Sequence, residues 1–477
     1  MTNKLTIDSY VAAGLALLLS SATAYANISI SNKPTQNMSC DTGVCTATAQ
    51  KAVLNVSDLQ TMLASGDVTV KTGSVAKDIN IDKPLTWAST SRLTLNAQQS
   101  VVVKRAVRIT GAGAVTVTIN EGGGKRGEFA IVPRRGSVQF WDLSSSLIID
   151  GNSYTLVGDI KTLAKDIKVN PRGFYALAKQ YDASADGPYS DTPVKGSFNG
   201  IFEGLGNAIT NLTFSLTGFY DVKAGLFHEV DSRGSIRDLA LVRVNLNINT
   251  SDVSAGAVAE LNEGLLLRVH TTGKITASGA APEEGLFQLG GLVGANSGLI
   301  SKSSTDMQIV IGFIYDGSVG GLAAFNEAFG QPGTIDQSYS DTRIVGADSS
   351  EVGGLLADNE GNVSNSYSTQ QVRATRRNGK VGGLIGMHSS GSVSTSYSVG
   401  EVRAHKGAAC GGLVGRSHGS VSQSYWDSDT SRCGGAGSAL TDNEFKSHLP
   451  DGFDPKIWGS DPKINNGYPY LLANPPQ

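Results

Sequence analysis

The sequence predicts an all-β chain wound as a parallel β-helix, or β-solenoid, with short helical capping and linker segments. Three observations carry that expectation. Of 477 residues 58 are glycine and only 17% are charged, too apolar a balance for a disordered chain and too rich in glycine for a helical one. The glycines lack the every-third spacing of collagen. The second observation is an internal repeat. A glycine pair followed by leucine recurs at Gly290-Gly291-Leu292, Gly320-Gly321-Leu322, Gly353-Gly354-Leu355, Gly382-Gly383-Leu384 and Gly411-Gly412-Leu413, at spacings of 30, 33, 29 and 29 residues. The third is what each unit lacks: its runs are short, β-type and broken by Gly, Ser and Asn, so no amphipathic helix fits. A single unit therefore cannot bury its apolar side chains, and stacking must do it.

Within each unit a second pattern follows the glycine pair, ending in Ser-Tyr in its best copies: Gly333, Ile335, Ser338, Tyr339; Gly361, Val363, Ser366, Tyr367; Gly391, Val393, Ser396, Tyr397; Gly419, Val421, Ser424, Tyr425. The copy at Gly298, Ile300 and Ser303 has Ser304 in place of tyrosine. Five residues further on stand Ile309, Ile344, Val372 and Val402. Two weaker copies begin at Ala224-Gly225-Leu226 and Ala255-Gly256, so the region 191–435 reads as seven coils, with equivalent residues about 4.8 Å apart in a rod of roughly 34 Å. Its glycines are expected to turn the corners at positive φ.

The region 67–150 has a tighter period: Ile79 and Ile81 are matched 22 residues later by Val101 and Val103, and Leu93 and Leu95 by Val115 and Val117. It reads as smaller coils of the same kind. Residues 27–66 are expected to cap its open end with a helical turn over Ser57 to Ala64, Ser57 as N-cap and Gly66 beyond the end. Residues 151–190 read as a helical linker, Ile160 to Lys168 and Phe174 to Tyr181, split by Asn170-Pro171. The aromatic, Pro-rich segment 436–477 is expected to be the second cap. Residues 1–26 have the form of a secretory signal: Lys4, an apolar run from Val11 to Leu19, and Ala24-Tyr25-Ala26, which places cleavage between Ala26 and Asn27. Export permits disulfides, and of the three pairings open to Cys40, Cys45, Cys410 and Cys433, the one that joins Cys40 to Cys45 and Cys410 to Cys433 closes the two local loops.

Taken together, the glycine-leucine repeats, as in Gly291-Leu292-Val293-Gly294 and Gly412-Leu413-Val414-Gly415, resemble the GLUG motif of secreted bacterial proteins. The lead-in from Tyr175 to Ser184 and from Phe198 to Asn207 is similar to one shared with filamentous-haemagglutinin-like exoproteins, as are the endings Ser424-Tyr425-Trp426-Asp427 and Gly467-Tyr468-Pro469-Tyr470-Leu471. The resemblance implies a surface or extracellular β-helix, often adhesin-like. The exported chain is expected at the cell surface or in the extracellular space, with the periplasm as a further location.

Chemistry is harder to find. The GLUG motif also occurs in large metallopeptidases, yet His228-Glu229-Val230-Asp231-Ser232 has serine where a zinc peptidase needs its second histidine. No Cys-x-x-Cys and no histidine pair stands at ligand spacing, so no metal or cofactor is expected. The acid pairs Asp182/Asp186 and Asp427/Asp429, candidates for a polysaccharide lyase or hydrolase, sit in turn-rich stretches and read as turn formers. His388 stands where other coils have Asn296, Asn326 and Asn359. One feature points to a partner: between Gln370 and Arg416 lie Arg373, Arg376, Arg377, Lys380, Arg403, Lys406 and Arg416 against the single acid Glu401. In a chain of net charge -3, which argues against nucleic acid as partner, that segment suits an anionic glycan. The sequence therefore reads as a non-enzymatic exported solenoid for adhesion or cell-surface interaction, its partner an extracellular polysaccharide or protein receptor, with no transmembrane span. The alternative is a β-helical polysaccharide lyase or hydrolase. Mass spectrometry of exported material should show a chain that starts at Asn27; an intact Met1 would exclude cleavage.

Overall fold

The computed structural model describes residues 27–121, 123, 127–218, 222–250, 252–278, 287–312, 317–327, 331–347 and 350–476. The candidate signal and its cleavage residue Ala26 lie outside them. The described chain is a parallel β-solenoid of about ten turns, built as two stacks that share one sheet of 16 strands.

In the first stack the strands Asp78–Ile81, Val101–Val103 and Phe129–Ile131 lie parallel, with Ile79 opposite Val101 and Ile81 opposite Val103. Leu93 and Leu95 stand opposite Val115 and Val117 on the next face, as the 22-residue period requires. Asn27, the first described residue, opens a strand that pairs with both Lys51–Asn55 and Asp78–Ile81. Helix Val56–Ser65 buries Leu59 and Leu63 in this core and packs beside Leu85–Trp87, the edge strand of a three-stranded sheet. Its N-cap is Asn55, not Ser57. The Asn55 carboxamide accepts from the Ser57 and Asp58 amides at 2.8 and 3.4 Å, because the preceding strand ends in extended backbone at Asn55 and Ser57 is already helical.

The stack ends in a reversal. Ser146–Ile149 pairs antiparallel with Asn152–Val157 across Asp150-Gly151, both at positive φ (47° and 78°), the backbone that an Asp-Gly hairpin turn needs. The second stack continues the same sheet from there. Helix Ile160–Val169 follows as expected, but Phe174–Leu177 is a strand, paired with Thr155–Val157 and Ile201–Glu203. Sheet neighbours on both sides outweigh local propensity there, and the Tyr175 hydroxyl donates to the Asp166 and Asn170 carbonyls at the helix end.

The repeat columns stack in register: Gly290, Gly320, Gly353, Gly382 and Gly411; Ile309, Ile344, Val372 and Val402; Tyr339, Tyr367, Tyr397 and Tyr425. Leu292, Leu322, Leu355, Leu384 and Leu413 are fully buried. The glycine pairs do not turn corners at positive φ. A Cβ on Gly320 would lie 1.7 Å from the Ala323 carbonyl oxygen, and one on Gly354 would lie 2.1 Å from the Gly383 carbonyl oxygen, so these glycines let backbones approach. The left-handed corner belongs instead to a column of other residues, Asp238, Arg268, Lys302, Gln337, Asn365, Thr395 and Gln423, at φ between 44° and 54°. Each later member precedes a buried serine whose Oγ bonds back to the carbonyl two residues earlier and accepts the amide of its counterpart in the preceding coil, as in Ser303–Ser338–Ser366–Ser396–Ser424.

The tyrosines pack outside the leucine core. Tyr339, Tyr367 and Tyr397 stack at 4.9 Å between ring centres, and Phe445, Phe453, Trp458 and Leu471 of the C-terminal segment cover them. That segment runs back along the flank as far as Asn474, whose amide donates to the Ser303 carbonyl at 3.0 Å. Both local disulfides, Cys40–Cys45 and Cys410–Cys433, are present, a feature of chains that mature in oxidising compartments. No helix among the described residues is long and apolar enough to cross a membrane. Leu384→Asp should unfold the stack by leaving an unpaired buried carboxylate, whereas Asn378→Asp in an exposed turn should leave the melting temperature within about 2 °C. Equal losses at both sites would refute the inward assignment.

Candidate functional site

Coil stacking places the basic segment on one flank. Arg373 and Arg403 are paired residues of successive strands, Val372–Ala374 and Val402–Arg403, and their neighbours Val372 and Val402 point into the core, so both arginines point outward. They line a shallow groove of about 310 Å³ with Thr375 and His405. Arg403 Nε lies 2.5 Å from Glu401, and that contact holds the Glu401 carboxyl below the usual carboxylate range. Arg377 and Lys406 are exposed in the adjoining turns. Two members of the expected ridge are engaged elsewhere: Lys380 pairs with Glu351 at 2.7 Å, and Arg376 has interactions of its own. Arg416 is exposed on a different face, in register with Asp358 and Met387.

The candidate acids serve the fold. Asp182 accepts from the Ser184 amide and from Asn211, and Asp186 accepts from the Tyr181 and Tyr189 hydroxyls at 2.7 and 2.8 Å. Asp427 is buried and accepts from Tyr468 and from the Asp429 amide, while Asp429 caps the Asp442 amide. His388 closes a buried amide ladder. Asn262, Asn296 and Asn326 each donate to the next asparagine at 2.7 to 2.8 Å, and the last of them, Asn359, meets His388 Nδ1 at 3.0 Å. In the stretch weighed for zinc, His228 lies 3.4 Å from Glu260, and Glu229 and Asp231 converge with Glu263 of the next coil within 4.8 Å. Ser197 Oγ bonds to both of the first two, and an acidic cluster of this kind assigns no ion by itself.

A buried charged group joins the two stacks, and no sequence motif marks it. Arg268 grips Asp238 with two bonds of 2.7 and 2.9 Å and reaches Glu128 of the first stack at 2.8 Å. Burial works against the Arg268 charge, but Asp238 and Glu128 outweigh it and keep it protonated. Beside them Glu203 is fully buried; burial, then the Asp238 charge, raises its carboxyl to about 8. The one available signal was charge at a column position, since Asp238 and Arg268 hold the left-handed corner.

No family model matches the chain, and no curated protein matches it. Among solved structures, one named IgA1 Protease is similar at 21% identity and a TM-score of 0.43 over 55% of this chain. This chain covers 20% of that protein's length. A second, from Bacteroides ovatus and described as a candidate immunoglobulin A1 protease, is similar at 17% identity and a TM-score of 0.40, covering 68% of this chain and 92% of the other. Both names are those of proteases, and the expectation of a non-enzymatic chain is corrected accordingly. Likeness at these identities concerns the fold alone and gives no residue here a protease role.

Glu203 also makes a testable statement about pH. Its carboxyl holds a proton up to about pH 8 in the folded chain but loses it near about 4.3 when unfolded. The folded state therefore binds the extra proton between these values, and stability should fall as pH rises through that window. Glu203→Gln should flatten the fall, gaining about 2 kcal/mol or more over the parent by pH 8.5. Parallel curves in thermal melts from pH 5 to 9 would show that Glu203 ionises normally.

Proposed function

We propose that this chain is an exported GLUG-type solenoid whose flank makes adhesin-like contact with an anionic glycan at a cell surface or in the extracellular space. The observation that supports the reading is the in-register pair Arg373 and Arg403. Like charges carried on adjacent strands, whose backbones lie about 4.8 Å apart, repel, and Glu401 bonds only Arg403 of the two. A linear polyanion laid along the groove relieves that repulsion, and planar guanidinium groups suit carboxylate and sulfate. Arg377 and Lys406 extend the positive field, and the solenoid supplies a straight, rigid flank.

Retention on immobilised polyuronate tests this. Changing Arg373, Arg377 and Arg403 together to Gln should weaken binding roughly tenfold or more at low ionic strength and leave the circular dichroism unchanged, because all three are exposed. The parent should lose retention as salt is raised. Undiminished retention by the triple variant would move the contact surface off this flank.

A further inference from the structure

Where the two stacks meet, residues 133–136 of the first and 238–240 of the second line a common cleft of about 370 Å³, a size in the range of small-ligand sites. Arg108, Arg134 and Arg135 line it. Arg134 is held at φ 63°, backbone that residues other than glycine adopt at a cost. Among the described residues Asp238 is the one carboxylate on the lining, and Arg268 occupies both its oxygens. Asp306, off the lining, feels the Arg134 charge. Arg108 Nε is 3.3 Å from the neutral Gln139. The cleft is therefore positive.

A second observation is independent of the arginines. His270 lines the same cleft; its Nδ1 is 2.8 Å from Ser304 Oγ, while its Nε2 is closed to solvent and has no hydrogen-bond partner. A buried polar atom without a partner costs about 1–3 kcal/mol, which a ligand group would recover. Burial first, then Arg134 and Arg268, push the imidazole down to about 3, so the ring is neutral and suits an uncharged hydroxyl. Gln180 and Thr272 add polar groups, and Ile131, Pro133 and Leu239 form an apolar wall. Guanidinium groups for a carboxylate, neutral polar groups for hydroxyls and an apolar wall for a ring's C–H face together describe one ligand class.

We infer that this cleft binds a carboxylated sugar, a uronic acid residue whose carboxylate meets Arg134 and Arg135 and whose hydroxyls meet His270 and Gln180. The site stands on its own geometry, apart from the Arg373–Arg403 groove.

Calorimetric titration of the exported chain with digalacturonate tests it, with digalactose, acetate and inorganic phosphate as separate probes. Digalacturonate should bind with a dissociation constant below about 1 mM, and digalactose, acetate and phosphate should each bind at least roughly tenfold more weakly. Arg134 and Arg135 are exposed, so R134Q/R135Q should fold and lose digalacturonate binding at least tenfold, while R373Q/R403Q should keep it; this separates failure of the cleft from failure of the groove. The His270 imidazole resonances should shift on adding digalacturonate to the parent and stay in place in R134Q/R135Q. Equal binding of acetate or phosphate would make the cleft a simple anion site, equal binding of digalactose would remove the role of charge, and unchanged binding by R134Q/R135Q would place the sugar elsewhere. Any of these outcomes, or no binding by the parent, overturns the inference.

Discussion

Parallel backbone pairing between successive coils is the constraint on which the rest of the molecule depends. It holds equivalent residues at the spacing of one hydrogen bond, so any side chain that recurs at the repeat is laid on its own kind. Apolar residues then form continuous buried columns and tyrosines a continuous stack. Asparagines form a ladder that satisfies buried amides coil after coil. The same spacing explains the second glycine of pairs such as Gly321, Gly354 and Gly383, where a Cβ would enter the backbone of the next coil, while at the first a Cβ would meet its own coil's carbonyl three residues on. It also sets the two arginines side by side on the flank.

The ends and the junction are where this regularity fails, and there side chains act individually. At Asp150-Gly151 the chain reverses, and one antiparallel pair joins two parallel stacks into a single sheet. The stacks also meet laterally, through Arg268, Asp238 and Glu128. A buried ion group of this kind is weak evidence for stability, since desolvation offsets much of the attraction, but it specifies how the surfaces fit. At the far end the C-terminal segment lies along the tyrosine stack. It thereby covers a column that the repeat alone would leave exposed.

Two positive surfaces of different character result. The Arg373–Arg403 groove is shallow and repetitive, suited to a polymer that reads charge along a line. The cleft at the junction is deeper and irregular, with a neutral imidazole and an apolar wall among its arginines. Such a surface suits one residue of a ligand. The acids that first drew notice as candidate catalytic groups, Asp182, Asp186, Asp427 and Asp429, are instead bonded to backbone amides, Asn211 or tyrosine hydroxyls.

By itself the sequence determined the coil architecture and the registers, because a repeat in a parallel stack converts sequence offset directly into spatial contact, whereas the pairing of the four cysteines came from the structure. Ile79 against Val101, Tyr367 against Tyr397 and Arg373 against Arg403 follow from offsets alone. Helix Ile160–Val169 was legible for a similar reason, being bounded by local signals. Phe174–Leu177 was not, since its strand conformation comes from neighbours distant in sequence. Nor could offsets show that the corner column carries the positive φ while the glycines serve close approach. Only the tertiary structure decided the reversal, the path of the C-terminal segment and the cleft: Arg268 lies 140 residues from Glu128, and Arg134 and His270 meet only because two stacks dock. No periodicity encodes a contact made once.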